Sequence, residues 1–235
     1  MKKRVVCGKE AVAKRVQKML DLRAYYEANL ENAHINFLPG NDKTGKTVWQ
    51  VSLIPIADCV NCSGCSGDCY DIQHVCWRPD VQRCRAENSA LHRKDRERFW
   101  REVSEAIREK GIETLRLNIG GDLDDEDFPY IRWVASENPG CDILFFTKNY
   151  SGINSDIDER GDFPKNVKPV MSAWPDMPME NPHNLPVSHV LWEDGSTTAP
   201  EFGAVYCGGN CAECHKSGEG CWTLGAGGHV IFHAH

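Results

Sequence analysis

The feature that most constrains this 235-residue chain is a cysteine-rich stretch at residues 52–88, SLIPIADCVNCSGCSGDCYDIQHVCWRPDVQRCRAEN. Four of its six cysteines have the spacing CxxCxxCxxxC, which is typical of loops that wrap an iron–sulfur cube. The small residues at 63–64 and 66–67 allow a tight backbone whose amides point at sulfur. The stretch therefore predicts an iron–sulfur site with the ligands Cys59, Cys62, Cys65 and Cys69.

Two other interpretations of this stretch are a structural zinc loop and a disulfide knot. Zinc sites favour two CxxC knuckles that lie a dozen or more residues apart. A disulfide knot needs an oxidising compartment, and the sequence after the basic residues 1–4, VVCGKEAVAKRV, has charges where an export signal would be apolar. We therefore expect a cytoplasmic protein with an iron–sulfur site, and zinc is the alternative metal.

The amino-acid composition argues against two classes of partner, nucleic acids and membranes. The formal net charge is -7, from 27 basic and 34 acidic residues, which argues against broad electrostatic binding of nucleic acid. No apolar run is long enough to span a bilayer. The hydrophobic content of 41% suffices for a sizeable core. We expect neither a membrane nor a nucleic acid partner.

The hydrophobic pattern alternates between strands and helices. Repeated strand–helix units predict an α/β protein with a parallel sheet or a partial (β/α) barrel. We expect a single domain, with a helical extension at 1–45, the α/β core at 46–200 and a cysteine-rich segment at 201–235. The predicted helices cover residues 9–32, 81–110 and 124–136, and the predicted strands cover 47–56, 113–119, 141–147, 167–174 and 187–192.

The second predicted strand ends in Gly120, Gly121 and Asp122. Because sites in such folds lie at the carboxyl ends of the strands, these residues and the first cysteine loop should lie on the same face. The glycine pair lets backbone approach a ligand, and the carboxylate can receive an ammonium group. The alternative is a tight turn in which Asp122 or Asp124 caps the next helix. The acidic run at 122–127 lacks EF-hand spacing and is more typical of a helix start than of a Ca²⁺ or Mg²⁺ site.

A second cysteine group lies in a glycine-rich segment near the C-terminus. Four thiolates can close completely around a metal, so the segment predicts a second cluster, with zinc a stronger rival than in the first loop. The first three members reproduce the spacing CxxxCxxC, so the open site could lie here instead. We disfavour this assignment because we expect the segment to follow the last strand. The members are Cys207, Cys211, Cys214 and Cys221.

The remaining cysteines and histidines have weaker signals. Cys141 starts a predicted strand and is expected to be a small buried hydrophobe. Cys7 is isolated. Cys62, Cys76 and Cys84 are each candidates for a fourth ligand, ligands of a further cluster, or bystanders. The C-terminal histidines are expected to be solvent-exposed at a frayed end; they are His229, His233 and His235.

Several motifs occur in an order that resembles the phage gene-product-88 domain family. They are NxKxGKxV, SLIP, the cysteines of the first loop with Tyr70 and Asn88, LRLNIGGD, FFTKNY and a final Cys221-Trp222. The resemblance implies an origin in phages or mobile elements. The predicted architecture is also similar to the radical SAM superfamily, where a cysteine loop follows the first strand and a Gly-Gly-Glu ends the second. That similarity implies that Gly120, Gly121 and Asp122 contact S-adenosylmethionine, although the first loop lacks the usual CxxxCxxC of that superfamily.

The leading hypothesis is an iron–sulfur enzyme of radical-SAM-like type, with two [4Fe-4S] clusters and one-electron chemistry on an unknown small-molecule or peptide substrate. The first cluster would bind S-adenosylmethionine, and the C-terminal one would relay electrons from a donor such as a ferredoxin or flavodoxin. A non-catalytic electron carrier and a zinc-stabilised interaction protein of a mobile element are the alternatives. No G-x-S-x-G, P-loop or G-x-G-x-x-G motif is present, so hydrolase, NTPase and dinucleotide functions have no support.

Overall fold

The computed structural model describes residues 9–61, 65, 69–75 and 77–234. This part of the chain contains seven α-helices and seven β-strands. The helices are α1 (Lys9–Ala28), α2 (Tyr70–Val75), α3 (Pro79–Lys94), α4 (Arg96–Lys110), α5 (Asp127–Glu137), α6 (Tyr150–Arg160) and α7 (Cys211–Ser217). The strands are β1 (Trp49–Val51), β2 (Thr114–Leu117), β3 (Asp142–Thr147), β4 (Val167–Ser172), β5 (Val187–Leu191), β6 (Ala204–Tyr206) and β7 (His229–His233).

The strands form one sheet in the order β1-β2-β3-β4-β5-β7-β6. Every pairing is parallel, which confirms the predicted α/β class with a parallel sheet. The first five strands are neighbours in chain order, as expected when right-handed crossovers all return in the same direction. Their carboxyl ends therefore meet at one edge of the sheet.

The two faces of the sheet are covered by different parts of the chain. Strand residues alternate between faces, so Leu115 and Leu117 of β2 point into the main core with α4, α5 and α6, while Arg116 points to the opposite face. That opposite face carries a smaller apolar cluster, formed by Val48, Leu144, Val170 and Trp222. Trp222 belongs to the cysteine-rich segment, so this segment packs directly on the sheet.

The N-terminal helix covers the region around the first cysteine loop. Met19 of α1 is fully buried against Ile54 and Ile72. Arg23, on the same helix, donates to the Asp58 carboxylate at 3.0 Å, one residue before Cys59. The helix therefore supports the loop through both apolar and charged contacts. Within the described residues, no helix combines the length and the apolar character needed to cross a membrane.

Two predicted elements differ most from the structure in their bounds. The helix predicted at 81–110 is two helices, because Asp95 leaves the helical conformation and its side chain caps α4 by accepting from the Arg98 amide at 3.1 Å. The strand predicted at 47–56 is only three residues long. It ends at Val51, and it cannot extend to residue 56, because Pro55 lacks an amide donor and Ile56 has a positive φ of 69°.

The C-terminal region corrects two expectations. The cysteine group does not follow the last strand; it lies between β6 and β7. His229 and His233 begin and end β7, which pairs with β5 on one side and β6 on the other, so they do not lie at a frayed end. Val230 between them is 1% exposed. His235 lies outside the described residues.

Candidate metal centre

The C-terminal cysteines are placed by a short succession of elements. Cys207 directly follows β6, and Cys211 and Cys214 are three residues apart on α7, a spacing that puts them on the same helix face. Asn210 caps α7 by accepting from the amides of residues 212 and 213 at 3.1 and 3.2 Å. Cys221 lies in a 3-10 turn, Gly220–Trp222. These elements bring four distant thiols to one place.

All four cysteines line a single pocket that is partly open to solvent. The wall opposite the cysteines is formed by the sheet and is mostly apolar. Arg116 of β2 is the charged side chain among the described residues that line it. The other sheet residues of this wall are Phe146, Val230 and Phe232.

The pocket is anchored by Trp222, which is 2% exposed. Its ring packs in the apolar cluster on the sheet, and its Nε1 donates to the Cys211 carbonyl oxygen at 2.9 Å. A turn at residues 41–45 supports the other side of α7, because Ala212 donates its amide to the Thr44 carbonyl oxygen at 3.0 Å. Gly45 has a φ of +81°, and a side chain there would overlap with Ala212. The turn and the cysteine segment therefore fit each other.

The four sulfur atoms do not lie as close together as the ligands of a single bound ion. A tetrahedral zinc ion at about 2.3 Å from each sulfur holds the sulfurs about 3.8 Å apart. Among the described residues, the group of three potential ligands whose atoms all lie within 4.8 Å of one another is His92, Asp124 and Asp127. No three sulfurs of the pocket, all of them described, meet that spacing. Four thiols that line one pocket can hold either a metal ion or a polynuclear group such as an iron–sulfur cluster.

Two thiols of the pocket, Cys214 and Cys221, bind their protons more tightly than an ordinary cysteine. Burial raises the pKa of Cys221 to about 12, although the Arg116 charge acts in the opposite direction. Burial also raises the pKa of Cys214, with the neighbouring Cys207 and Cys211 adding to the shift. Since metals bind thiolates, occupation of the pocket would release protons.

The first cysteine loop lies at the carboxyl edge of the sheet. Cys59, Cys65 and Cys69 are described, whereas Cys62 and Cys76 lie outside the described residues. The Ile56 amide donates to the Cys59 sulfur at 3.3 Å. Burial raises the pKa of Cys69 to about 11, while backbone amides at the start of α2 act against that shift by donating to the sulfur. Amides directed at cysteine sulfur are a feature of iron–sulfur loops.

The structure brings Gly120, Gly121 and Asp122 next to this loop, as the strand order predicts. The Asp122 amide donates to the Asp58 carbonyl oxygen at 2.8 Å, immediately before Cys59. A side chain at Gly120 would overlap with Asp71 Oδ2, and one at Gly121, where φ is +83°, would lie 2.7 Å from the Leu53 Cβ. The two glycines therefore allow β2 to end tightly against the first loop.

The Asp122 carboxylate is held by two backbone amides and by the Thr147 hydroxyl. It is 8% exposed and accepts from the Leu123 amide at 2.8 Å and from the Lys148 amide at 2.9 Å. Burial raises its pKa, and the two amides act against that shift. Asp122 does not cap α5, which begins at Asp127. It joins the ends of β2 and β3, and its predicted contact with a ligand ammonium stays a prediction.

The residues after β3 form part of the same edge, and sequence reasoning gave them no role. The Asn61 side chain donates to the Lys148 carbonyl oxygen at 2.7 Å, and the Tyr150 hydroxyl donates to the Ser172 carbonyl oxygen at 2.6 Å. Burial raises the pKa of Tyr150, and charges on Asp122 and Cys65 add to the shift. Lys148 and Tyr150 come directly after β3, and this position was the signal that could have identified them.

The acidic run before α5 is part of an internal charge network. Asp127 is fully buried and accepts from His92 at 2.7 Å, from Trp100 at 3.1 Å and from Arg96 at 3.2 Å. Arg96 also forms a bidentate pair with Asp124. The guanidinium already supplies the positive charge that a cation would bring, so this group is a structural ion network at the start of α5, consistent with the predicted helix start.

Two further described cysteines, Cys141 and Cys84, are buried. Cys141 is 1% exposed in the main core, which confirms it as a small buried hydrophobe, and burial raises its pKa to about 12. Cys84 is 6% exposed within α3. Cys7 lies outside the described residues.

Comparisons with known proteins identify a family for this chain. The family described as Gene product 88 matches residues 24–197, which include the first cysteine loop and Gly120–Gly121–Asp122 but end before Cys207. No curated protein and no solved structure matches the chain. Because the family covers well over half of the sequence, the chain belongs to the gene product 88 family.

Proposed function

We propose that this protein is an iron–sulfur protein that carries two clusters and performs one-electron chemistry. The observation that carries the proposal is the C-terminal pocket, which four cysteines line and in which no three sulfurs lie within 4.8 Å of one another. Bound clusters would supply reversible one-electron transfer. Cys207, Cys211, Cys214 and Cys221 would hold a fully ligated cluster there.

The first loop supports the enzymatic form of the proposal. Cys59, Cys65 and Cys69 lie where the carboxyl ends of β1, β2 and β3 meet, which is the usual position of a ligand site in parallel sheets. Three protein ligands would leave a position for a small molecule. The sequential strand order is compatible with a radical-SAM-like architecture, so S-adenosylmethionine is the ligand to test.

The residues around the first loop have defined tasks in this proposal. Gly120 and Gly121 let the backbone approach closely, and Asp122 holds the Lys148 segment against the loop. Lys148 places its ammonium 5.4 Å from the centre of the Trp174 ring. Tyr150 fixes the end of β4 through Ser172. Together they form a hydrogen-bonded frame that would orient a ligand and limit access of water.

Anaerobic purification with iron, sulfide and zinc analysis tests the proposal. We expect iron and acid-labile sulfide with visible thiolate-to-iron absorption; zinc without sulfide would instead establish the zinc-stabilised interaction protein. Adding a chelator should lower thermal stability and expose both cysteine segments to protease, because metal binding is coupled to their folding.

Alanine variants of each cysteine group separate enzyme from carrier. Reduced protein that lacks the C-terminal cysteines should still change its EPR signal on adding S-adenosylmethionine, and protein that lacks Cys59, Cys65 and Cys69 should not. If neither changes and both clusters titrate as simple one-electron centres, the protein is an electron carrier, supplied by a ferredoxin or flavodoxin. A response from the C-terminal cluster alone would assign the open site to its CxxxCxxC.

A further inference from the structure

Arg116 lies on the sheet face that meets the C-terminal cysteines. Its Nη1 donates to the Cys211 sulfur at 3.6 Å, and its guanidinium lies 5.0 Å from the centre of the Phe146 ring. Its Nε is buried and has no hydrogen-bond partner among the described residues. A buried donor without a partner costs about 1 to 3 kcal/mol, so an acceptor inside the pocket would remove a real penalty.

The charge environment of Arg116 differs from that of the other enclosed arginines. Arg85, Arg96 and Arg132 each pair with at least one carboxylate. Among the described residues, no carboxylate forms an ion pair with Arg116, and its nearest acceptor is the Cys211 sulfur. The cysteine group can therefore supply the counter-charge of this arginine only when its thiols are deprotonated, as they are when they bind a metal.

We propose that Arg116 is a positioning residue that compensates the negative charge of a cluster in the C-terminal pocket and raises its reduction potential. The inference rests on the proposed function and specifies how that site is tuned. One-electron reduction adds one negative charge to the cluster. A guanidinium beside the ligand Cys211 stabilises the reduced form, and hydrogen bonds to cluster sulfur act in the same direction.

The charge of Arg116 also acts on Tyr70, the residue after Cys69. The Tyr70 hydroxyl donates to the Ile119 carbonyl oxygen at 3.2 Å. Burial raises the pKa of this hydroxyl to about 12, and the Arg116 charge lowers it. The charge of Arg116 therefore also acts on the residue that follows Cys69.

The test uses the full chain with Cys59, Cys65 and Cys69 changed to alanine, so that only the C-terminal cluster reports. Arg116→Gln and Arg116→Lys are compared with this background by redox titration with dithionite and by iron loss to a chelator. Arg132→Gln is the matched control, because Arg132 also lies over an aromatic ring, Phe163, at 4.0 Å but has a carboxylate partner.

We expect Arg116→Gln to shift the reduction potential to a more negative value and to speed iron loss about 10-fold or more. Arg116→Lys should fall between Gln and the background, because it keeps the charge but loses the planar fork of donors. Arg132→Gln should match the background in both measurements. The proposal is overturned if Arg116→Gln keeps the potential and iron retention of the background, since the side chain would then only pack on Phe146.

Two further outcomes are distinguishable. If the background protein takes up no iron and sulfide, the proposed function of the C-terminal pocket fails before Arg116 is tested. If Arg116→Gln takes up no cluster, Arg116→Lys decides. Faster iron loss than the background, or no uptake with the melting temperature of the metal-free background, supports the proposal. Iron loss at the background rate, or no uptake with a melting temperature below that of the metal-free background, overturns it.

Discussion

The two cysteine groups are attached to the same sheet in different ways. The C-terminal group lies on a sheet face and is held by apolar packing of Trp222 against Val48, Leu144 and Val170. The first group lies at the carboxyl edge and is held by backbone hydrogen bonds and ion pairs, including the buried pair of Asp71 and Arg85. Apolar packing encloses a site, whereas an edge of loops leaves it accessible. The difference predicts a closed centre on the face and an open one at the edge.

The largest expected effect separates the two groups through Trp222. Replacing this buried residue by alanine removes its packing and the hydrogen bond to the Cys211 carbonyl, so we expect Trp222→Ala to lower the free energy of unfolding by about 3 to 5 kcal/mol. It should also lose the C-terminal metal while the first site keeps its own. Denaturant unfolding and metal analysis measure both.

Trp133→Ala is the control for this change, because Trp133 is 40% exposed on α5. It should cost far less stability and leave metal content unchanged. Full metal retention in Trp222→Ala would contradict the idea that packing on the sheet face holds the C-terminal site.

The second expected effect concerns the edge. In the wild type, two backbone amides donate to the Asp122 carboxylate. In Asp122→Asn the side-chain NH2 group replaces one carboxylate oxygen and cannot accept a hydrogen bond. One buried backbone donor is then unpaired, at a cost of about 1 to 3 kcal/mol. We expect the variant to lower stability and weaken any S-adenosylmethionine response of the first site, with the C-terminal cluster unaffected. EPR and denaturant unfolding are the measurements.

The exposed Asp42 supplies the matched control. Asp42→Asn should behave as the wild type in both experiments. If Asp122→Asn were as stable as Asp42→Asn and kept the response, Asp122 would neither join β2 to β3 nor take part in binding.

The third expected effect tests how closely the end of β2 meets the first loop. A Cβ at Gly120 would lie 2.5 Å from Arg85 Nη1 and overlap with Asp71. Since the pair is buried, Gly120→Ala should cost about 1 to 3 kcal/mol and reduce metal in the first site only. Gly140→Ala, where nothing lies within 4 Å, should be neutral. Equal stability of the two variants would show that the ion pair can move aside.

The central part of the fold was predictable from sequence because its signals are local. The strands β2, β3, β4 and β5 are short apolar runs bounded by turn residues. The predicted helix at 124–136 between the second and third of the predicted strands indicated a parallel sheet. The cysteines of both groups were visible from their spacing. These signals need no knowledge of distant partners.

The parts that sequence reasoning missed depend on contacts between distant segments. The strand β7 has only five residues with a histidine at each end, and its pairing with β5 spans about forty residues, so no local pattern marks it as internal. Arg116 lay inside a predicted strand, but its role depends on which segment covers that face. The alternation of Leu115, Arg116 and Leu117 did indicate which face the guanidinium occupies.

The smallest expected effect is a pH dependence in the strands that flank the C-terminal group. His189 of β5 contacts His229 of β7 with 2.9 Å between Nε2 and Nδ1, and its Nδ1 lies 2.9 Å from the Thr198 hydroxyl. Burial, with a smaller effect from His229, lowers the pKa of His189 to about 4. The pair therefore joins β5 to β7 in the neutral form.

The direction of this pH dependence follows from the pKa of His189 in the folded and in the unfolded protein. The unfolded chain takes up a proton at His189 near the ordinary histidine pKa of 6.5, but the folded protein does so only near pH 4, so the folded state loses relative stability as pH falls from 6.5 to 4. Replacing the His189 side chain removes this loss of stability at low pH. We expect His189→Asn to be less stable than wild type at pH 7, and the difference to shrink as pH falls through this window. Denaturant unfolding at several pH values measures it, with His34→Asn, at an exposed position, as the control that should keep the wild-type slope. A wild-type slope in His189→Asn would mean that the acid sensitivity of the protein arises elsewhere than at the β5–β7 contact.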